Sequence, residues 1–88
     1  MASDLLRQLL FEKIALTESH LAQSETNIAL QRGRIAWQER TGRDSGASRD
    51  LLATYLNVRA SHLAHHDSLI LEIGEHSGGV QRRAKLRR

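Results

Sequence analysis

A chain of 88 residues holds one small domain at most, and a domain that size buries only about 60–65% of its unfolded surface. The absence of cysteine excludes a disulfide framework and a thiolate zinc site, and the absence of proline leaves long helices uninterrupted. The three aromatics, Phe11, Trp37 and Tyr55, supply little large-area burial, so self-association is the remaining source of stability.

The net charge of +3 is a poor average. The last nine residues, VQRRAKLRR, carry five basic side chains, which leaves eight basic and ten acidic residues, a charge of −2, over residues 1–79. No apolar run approaches the roughly 18 residues of a membrane span. The opening MASDLLRQLLF lacks the charged and long apolar regions of a secretory signal, so a cytoplasmic setting is expected.

The first predicted element is a helix over about 4–40. Ser3 or Asp4 can cap it, and an acid there suits the positive end of a helix. Gly33 is its one interior weak point, costing about 1 kcal/mol against alanine. Inside the helix a seven-residue repeat reads IALTESH, LAQSETN, IALQRGR, IAWQERT. Its first column is Ile14, Leu21, Ile28 and Ile35. Its fourth is Thr17, Ser24, Gln31 and Gln38, with Leu10 one repeat earlier. Two such columns form the a and d seam of a coiled coil, and polar d residues make that seam weak but specific in register. A second stripe is small throughout: Ala15, Ser19, Ala22, Thr26, Ala29, Gly33 and Ala36. Small residues admit a second backbone closely, although alanines are also simply good helix formers. Two seams on one helix imply two neighbours.

The loop TGRDSGAS (residues 41–48) follows, with Gly42 as a stop signal and Ser45 or Ser48 as the next cap. A second helix is predicted over about 49–73, ended by Gly74. Gly74 with EHSGG (75–79) then reads as a joint, residues 74–79, before the basic tail, residues 80–88. The apolar face of the second helix is Leu52, Leu56, Leu63, Ile70 and Ile73, interrupted by Arg59 and His66 and broadened by Leu51, Tyr55, Val58 and Leu69. No stretch alternates with period two, so no strand is expected. The architecture expected is all-α: an antiparallel helical hairpin over residues 1–79, pairing as a dimeric four-helix bundle.

Folding about residue 45 would bring Ile35 near Tyr55, Ile28 near His62, Leu21 near Leu69 and Ile14 near His76. Leu5, Leu6, Leu9, Leu10 and Phe11 then overhang without an intramolecular partner. These five, with Ile14, Leu21, Ile28, Ile35, Leu52, Leu56, Leu63 and Ile70, are the expected interaction residues.

Chemistry is sparse. His62 and His66, four apart beside Asp67, could chelate a metal; the competing reading is a half-buried histidine patch that tunes packing. No nucleophile elbow or glycine-rich phosphate loop accompanies the serines and histidines, so neither enzymatic activity nor a cofactor is expected. Arg82, Arg83, Lys85, Arg87 and Arg88 could neutralise nucleic-acid phosphates without reading sequence, or could simply solubilise the chain.

The IA-x5-IA pattern, the glycine-containing loop and LLATYLNVRASHLAHHDSLILEI resemble a group of uncharacterised small helical-hairpin proteins common in rhizobia and related α-proteobacteria. The resemblance covers residues 14–73. Tyr55, His62, Asp67, Leu69 and Ile70 match it, and His66 stands where arginine is common. It implies a bacterial, cytoplasmic setting and no mechanism. The function expected is a non-enzymatic, self-associating protein-interaction module, the alternative being a nucleic-acid-associated regulator acting through the tail.

Overall fold

The computed structural model describes the backbone of residues 2–86 and the side chains of residues 4–75. Two helices, α1 (Ala2–Arg40) and α2 (Gly46–Leu86), lie against each other as an antiparallel hairpin, and no strand occurs among the described residues. The principal extents are 61 × 31 × 14 Å, so the molecule is one helix thick. No helix among the described residues is long and apolar enough to cross a membrane.

α1 opens at Ala2, slightly before the expected start, and Asp4 lies inside its first turn, where a carboxylate still favours the positive helix end. Its stop is built as the sequence suggests. Gly42 adopts φ +71°, Arg43 N–H donates to the Gln38 carbonyl at 2.7 Å, and Gly42 N–H donates to the Glu39 carbonyl at 3.3 Å. This pair of bonds is a Schellman motif, which satisfies two of the orphan carbonyls at the helix end.

The restart differs from expectation. Asp44 caps α2: its Oδ1 accepts from Gly46 N–H at 2.9 Å, and α2 begins at Gly46 instead of residue 49. The loop therefore shrinks to residues 41–45. At its far end α2 does not stop at Gly74 but continues as helix to Leu86, across the expected joint. Isolated glycines weaken a helix by about 1 kcal/mol each without breaking it, and no proline forces a break.

The shorter loop resets the register. Glu18 pairs with His66 and Glu25 with Arg59, residue numbers that add to 84, while His20 meets His62, adding to 82. The hairpin thus folds about residue 42, and each α1 residue meets α2 about seven positions earlier than expected. Seven is one repeat of the pattern, so the columns stay in phase while every pairing moves. Leu10 and Ile14 consequently pack with Leu69 and Ile73. Leu10, expected to overhang, is the most buried large apolar residue described, at 2% exposure.

The α1 side of the seam follows the two predicted columns. Ile14, Ile28 and Ile35 are buried with Leu10, and Leu21 is half-buried. Thr17, Ser24 and Gln31 are buried as well. Burying polar groups requires partners. Thr17 Oγ1 donates to the Lys13 carbonyl at 2.8 Å, and Gln31 Nε2 donates across the hairpin to the Ser48 carbonyl at 2.9 Å. Gln38 Oε1 is buried without a partner.

On α2 the seam is Ser48, Leu52, Tyr55, Arg59, His62, His66, Leu69 and Ile73, spaced alternately four and three. Of the face expected there, Leu52 and Ile73 belong to it. Leu56, Leu63 and Ile70 do not: they flank it at 36%, 37% and 45% exposure. The hairpin closes on the column one residue before them, where Tyr55, His62 and Leu69 stand. The aliphatic stem of Arg59 and the ring of His66 complete the stripe while their polar atoms reach glutamates on α1.

Candidate functional site

Five large apolar side chains are buried among the described residues and thirteen are exposed. An exposed leucine alone needs no explanation, but grouped apolar surface marks an interaction site. The functional surface is therefore sought in what the hairpin leaves uncovered.

At the open end, opposite the loop, Leu5, Leu6, Leu9 and Phe11 are 61%, 40%, 45% and 56% exposed. Ile70 and Leu71 on α2 lie at the same level and are 45% and 58% exposed. The expected overhang is thus divided: Leu10 turns into the seam and its neighbours remain outside. Leu56, Leu63 and Ile70 form a second uncovered column, on the side of the seam where Glu25, Ile28, Ala29, Arg32, Leu56 and Arg59 line an open cleft.

The third uncovered region is the outer face of α1. Ala15, Ser19, Ala22, Thr26, Ala29, Gly33 and Ala36 are all exposed, and a Cβ added at Gly33 would meet nothing within 4 Å. The small stripe therefore lies outside the buried seam, with Ala29 bordering the cleft beside Leu56 and Arg59, and the second neighbour it was expected to serve is not among the described residues. Beside it Leu16 and Leu30 are 59% and 70% exposed, and Trp37 is 45% exposed with the Arg43 guanidinium 4.8 Å above its ring. The cation supports the indole at the loop end while leaving its edge open.

The histidines do not converge. His62 tilts against His20 with ring centroids 5.1 Å apart, beside a cleft lined by Gln23, Ser24, Asn27 and Val58. His66 turns the other way, where Nε2 donates to Glu18 Oε2 at 3.1 Å, and its Nδ1 lies 3.9 Å from Asp67 Oδ1. The two histidines read as a chelating pair thus face opposite sides of the seam. Among the described residues no group of three metal-ligating side chains comes together.

Two exposed ion pairs, Arg59–Glu25 and Arg49–Glu39, clip the helices on the side of the Leu56 column. Pairs this exposed contribute at most about 1 kcal/mol each and act mainly on register. The side chains of Arg82, Arg83, Lys85, Arg87 and Arg88 lie outside the described residues. The sequence reading set Tyr55, His62 and Leu69 opposite the first column of α1 but took Leu56, Leu63 and Ile70 as the packing face, and these lie outside the seam. The signal available was Ser48, which starts the four-three spacing that runs through Tyr55, His62 and Leu69. The chain matches no protein-family model, no curated protein and no solved structure.

Proposed function

We propose that this protein is a non-enzymatic, self-associating helical module that works in the cytoplasm by binding other macromolecules, with a dimer of hairpins as its basic unit. The observation that carries this reading is the imbalance of surface. Among the described residues thirteen large apolar side chains are exposed against five buried, in a molecule one helix thick. A seam that buries Thr17, Ser24, Gln31 and Ser48 beside only five aliphatics defines alignment better than it supplies stability. Interaction surfaces are thereby assigned to Leu5, Leu6, Leu9 and Phe11 at the open end and to Leu56, Leu63 and Ile70 along α2.

The test is the mass in solution. Light scattering at micromolar concentration is expected to give about twice the 9.9 kDa chain mass. A well-folded monomer of 9.9 kDa across the whole concentration range would overturn the proposal.

A further inference from the structure

Over its middle, α1 confines its charges to two columns. From Lys13 to Glu39 every charged residue falls in one of two columns: Lys13 and Arg34 in one, Glu18, Glu25, Arg32 and Glu39 in the other. Between these columns, on the face pointing away from α2, lie Ala15, Leu16, Ser19, Ala22, Gln23, Thr26, Ala29, Leu30, Gly33, Ala36 and Trp37. All eleven are uncharged and all are exposed. At about 100° per residue, the order around the face is fixed. The column of Glu18, Glu25 and Glu39 comes first, then the alanines. Ser19, Thr26 and Gly33 run down the middle. Leu9, Leu16, Leu30 and Trp37 come next, and Lys13, His20 and Arg34 close the other edge.

From this we infer that the outer face of α1 binds the same face of a second copy of this chain, the two α1 helices lying parallel about a twofold axis. The inference rests on the self-association proposed above and specifies its surface and orientation. Both charge and size select the arrangement. A twofold along the helices sets each edge against the opposite edge of the partner, so the acidic column meets the basic one twice. Glu25 and Glu39 reach the α2 cations Arg59 and Arg49, and Glu18 reaches His66, yet 57%, 47% and 60% of these three side chains remain exposed to that second field. Arg32 is the one basic residue in the acidic column, about 3 Å from the level of Arg34 and about 7.5 Å from that of neutral Asn27, and it is the one like-charge approach along these edges. In the antiparallel alternative each column would face its own kind.

Size agrees with charge. The same twofold lays the alanine column of one chain against the leucine–tryptophan column of the other, large side chains into a small-residue groove, along both edges. Antiparallel packing would set alanine on alanine and leucine on leucine. The area is sufficient. Continued through Gln8 and Leu9 to Leu5, the face carries one charge, the midline Glu12, which the parallel twofold sets against its own copy near the exposed end, and runs about 48 Å at 1.5 Å per residue. A strip about 10 Å wide then presents about 500 Å² on each partner, which together reaches the roughly 1,000 Å² of a specific interface.

The absence of native cysteine makes the test clean. In a parallel twofold every residue on the midline meets its own copy. Ser19→Cys, Thr26→Cys and Gly33→Cys, made singly in the full chain, should each form a disulfide-linked dimer on mild oxidation. Asn57→Cys, exposed on α2, should not. Ala29→Arg should weaken dimerisation at least a hundredfold with helicity unchanged, because exposed Ala29 borders the open cleft beside Leu56 and Arg59 without belonging to the buried seam. Cross-linking at only one of the three midline positions overturns the parallel orientation. A wild-type dimer that cross-links at none, or that survives Ala29→Arg, overturns this face and leaves self-association standing. A wild-type monomer overturns both.

Discussion

The inward and outward faces of α1 run the same length of the same helix and repeat every seven residues, but they are built to opposite rules. The inward face alternates Leu10, Ile14, Ile28 and Ile35 with Thr17, Ser24 and Gln31, and each of these is buried against α2. The outward face carries Ala15, Ala22, Ala29 and Ala36 beside Leu16, Leu30 and Trp37, and the chain covers none of them. Polar groups are thus buried where they fix alignment, and apolar groups are exposed where no intramolecular partner exists. A helix following both rules at once is made for two neighbours. Changes on the inward face should therefore register as stability of the hairpin, and changes on the outward face as association.

The largest effect expected sets one leucine against another. Leu10→Ala removes the most buried large apolar side chain from its cluster with Ile14, Leu69 and Ile73, and should cost about 3 kcal/mol. Leu30, 70% exposed, should cost the hairpin less than about 0.5 kcal/mol when truncated while weakening the dimer. Urea unfolding followed by circular dichroism measures the first quantity and light scattering the second. If Leu10→Ala proved as mild as Leu30→Ala, the one-repeat register shift that buries Leu10 would be wrong.

A smaller effect tests the polar half of the seam. Gln31→Ala deletes the side chain that donates to the Ser48 carbonyl across the hairpin, and should cost about 1–2 kcal/mol. Loss of a cross-helix hydrogen bond is the proposed cause. Gln31→Glu, which keeps the length but removes the donor, should therefore be no better than alanine in the same urea titration. Full stability in either variant would show that this buried polar position contributes nothing to alignment.

These contrasts also show where the sequence was transparent. The α1 columns were legible because large aliphatics recur every seven residues at Ile14, Leu21, Ile28 and Ile35, with a polar column beside them. The α2 seam was harder to read. Leu56, Leu63 and Ile70 are the most apolar column on α2, yet the hairpin closes on Tyr55, His62 and Leu69, one residue earlier. Apolarity identifies what is buried somewhere, in this chain or another, and does not say by which neighbour. The register depended on a detail of loop chemistry. Asp44 rather than Ser45 or Ser48 caps α2, and the compact Schellman turn moves every pairing by one repeat. The division of the open-end leucines followed from that shift: the fourth column set Leu10 in the seam while the expected register left it overhanging, and the loop decided between the two.

The third prediction concerns that loop. Gly42 sits at φ +71°, where a Cβ is strained even though nothing lies within 4 Å of it. Gly42→Ala should cost about 1 kcal/mol, wholly from backbone torsion, and should leave oligomeric mass unchanged. A thermal midpoint equal to wild type would mean that the turn does not need its left-handed residue.

Gly33 completes the comparison, with the smallest effect and the opposite sign. Its backbone is helical and its surroundings are empty within the chain, so Gly33→Ala should gain up to about 1 kcal/mol and raise the thermal midpoint by a few degrees. The gain should persist in the dimer, because Ser19 and Thr26, larger than alanine, occupy the same midline. Gly33→Leu separates the two faces more sharply. Leucine is nearly as good a helix former as alanine, so an uncovered outer face would accept it with a similar rise in midpoint. Against a second α1 it must push the backbones apart, and the dimer should dissociate while the hairpin stays helical. A stable Gly33→Leu dimer would mean that the outer face of α1 has no close neighbour, and that the alanines beside it serve only the helix they build.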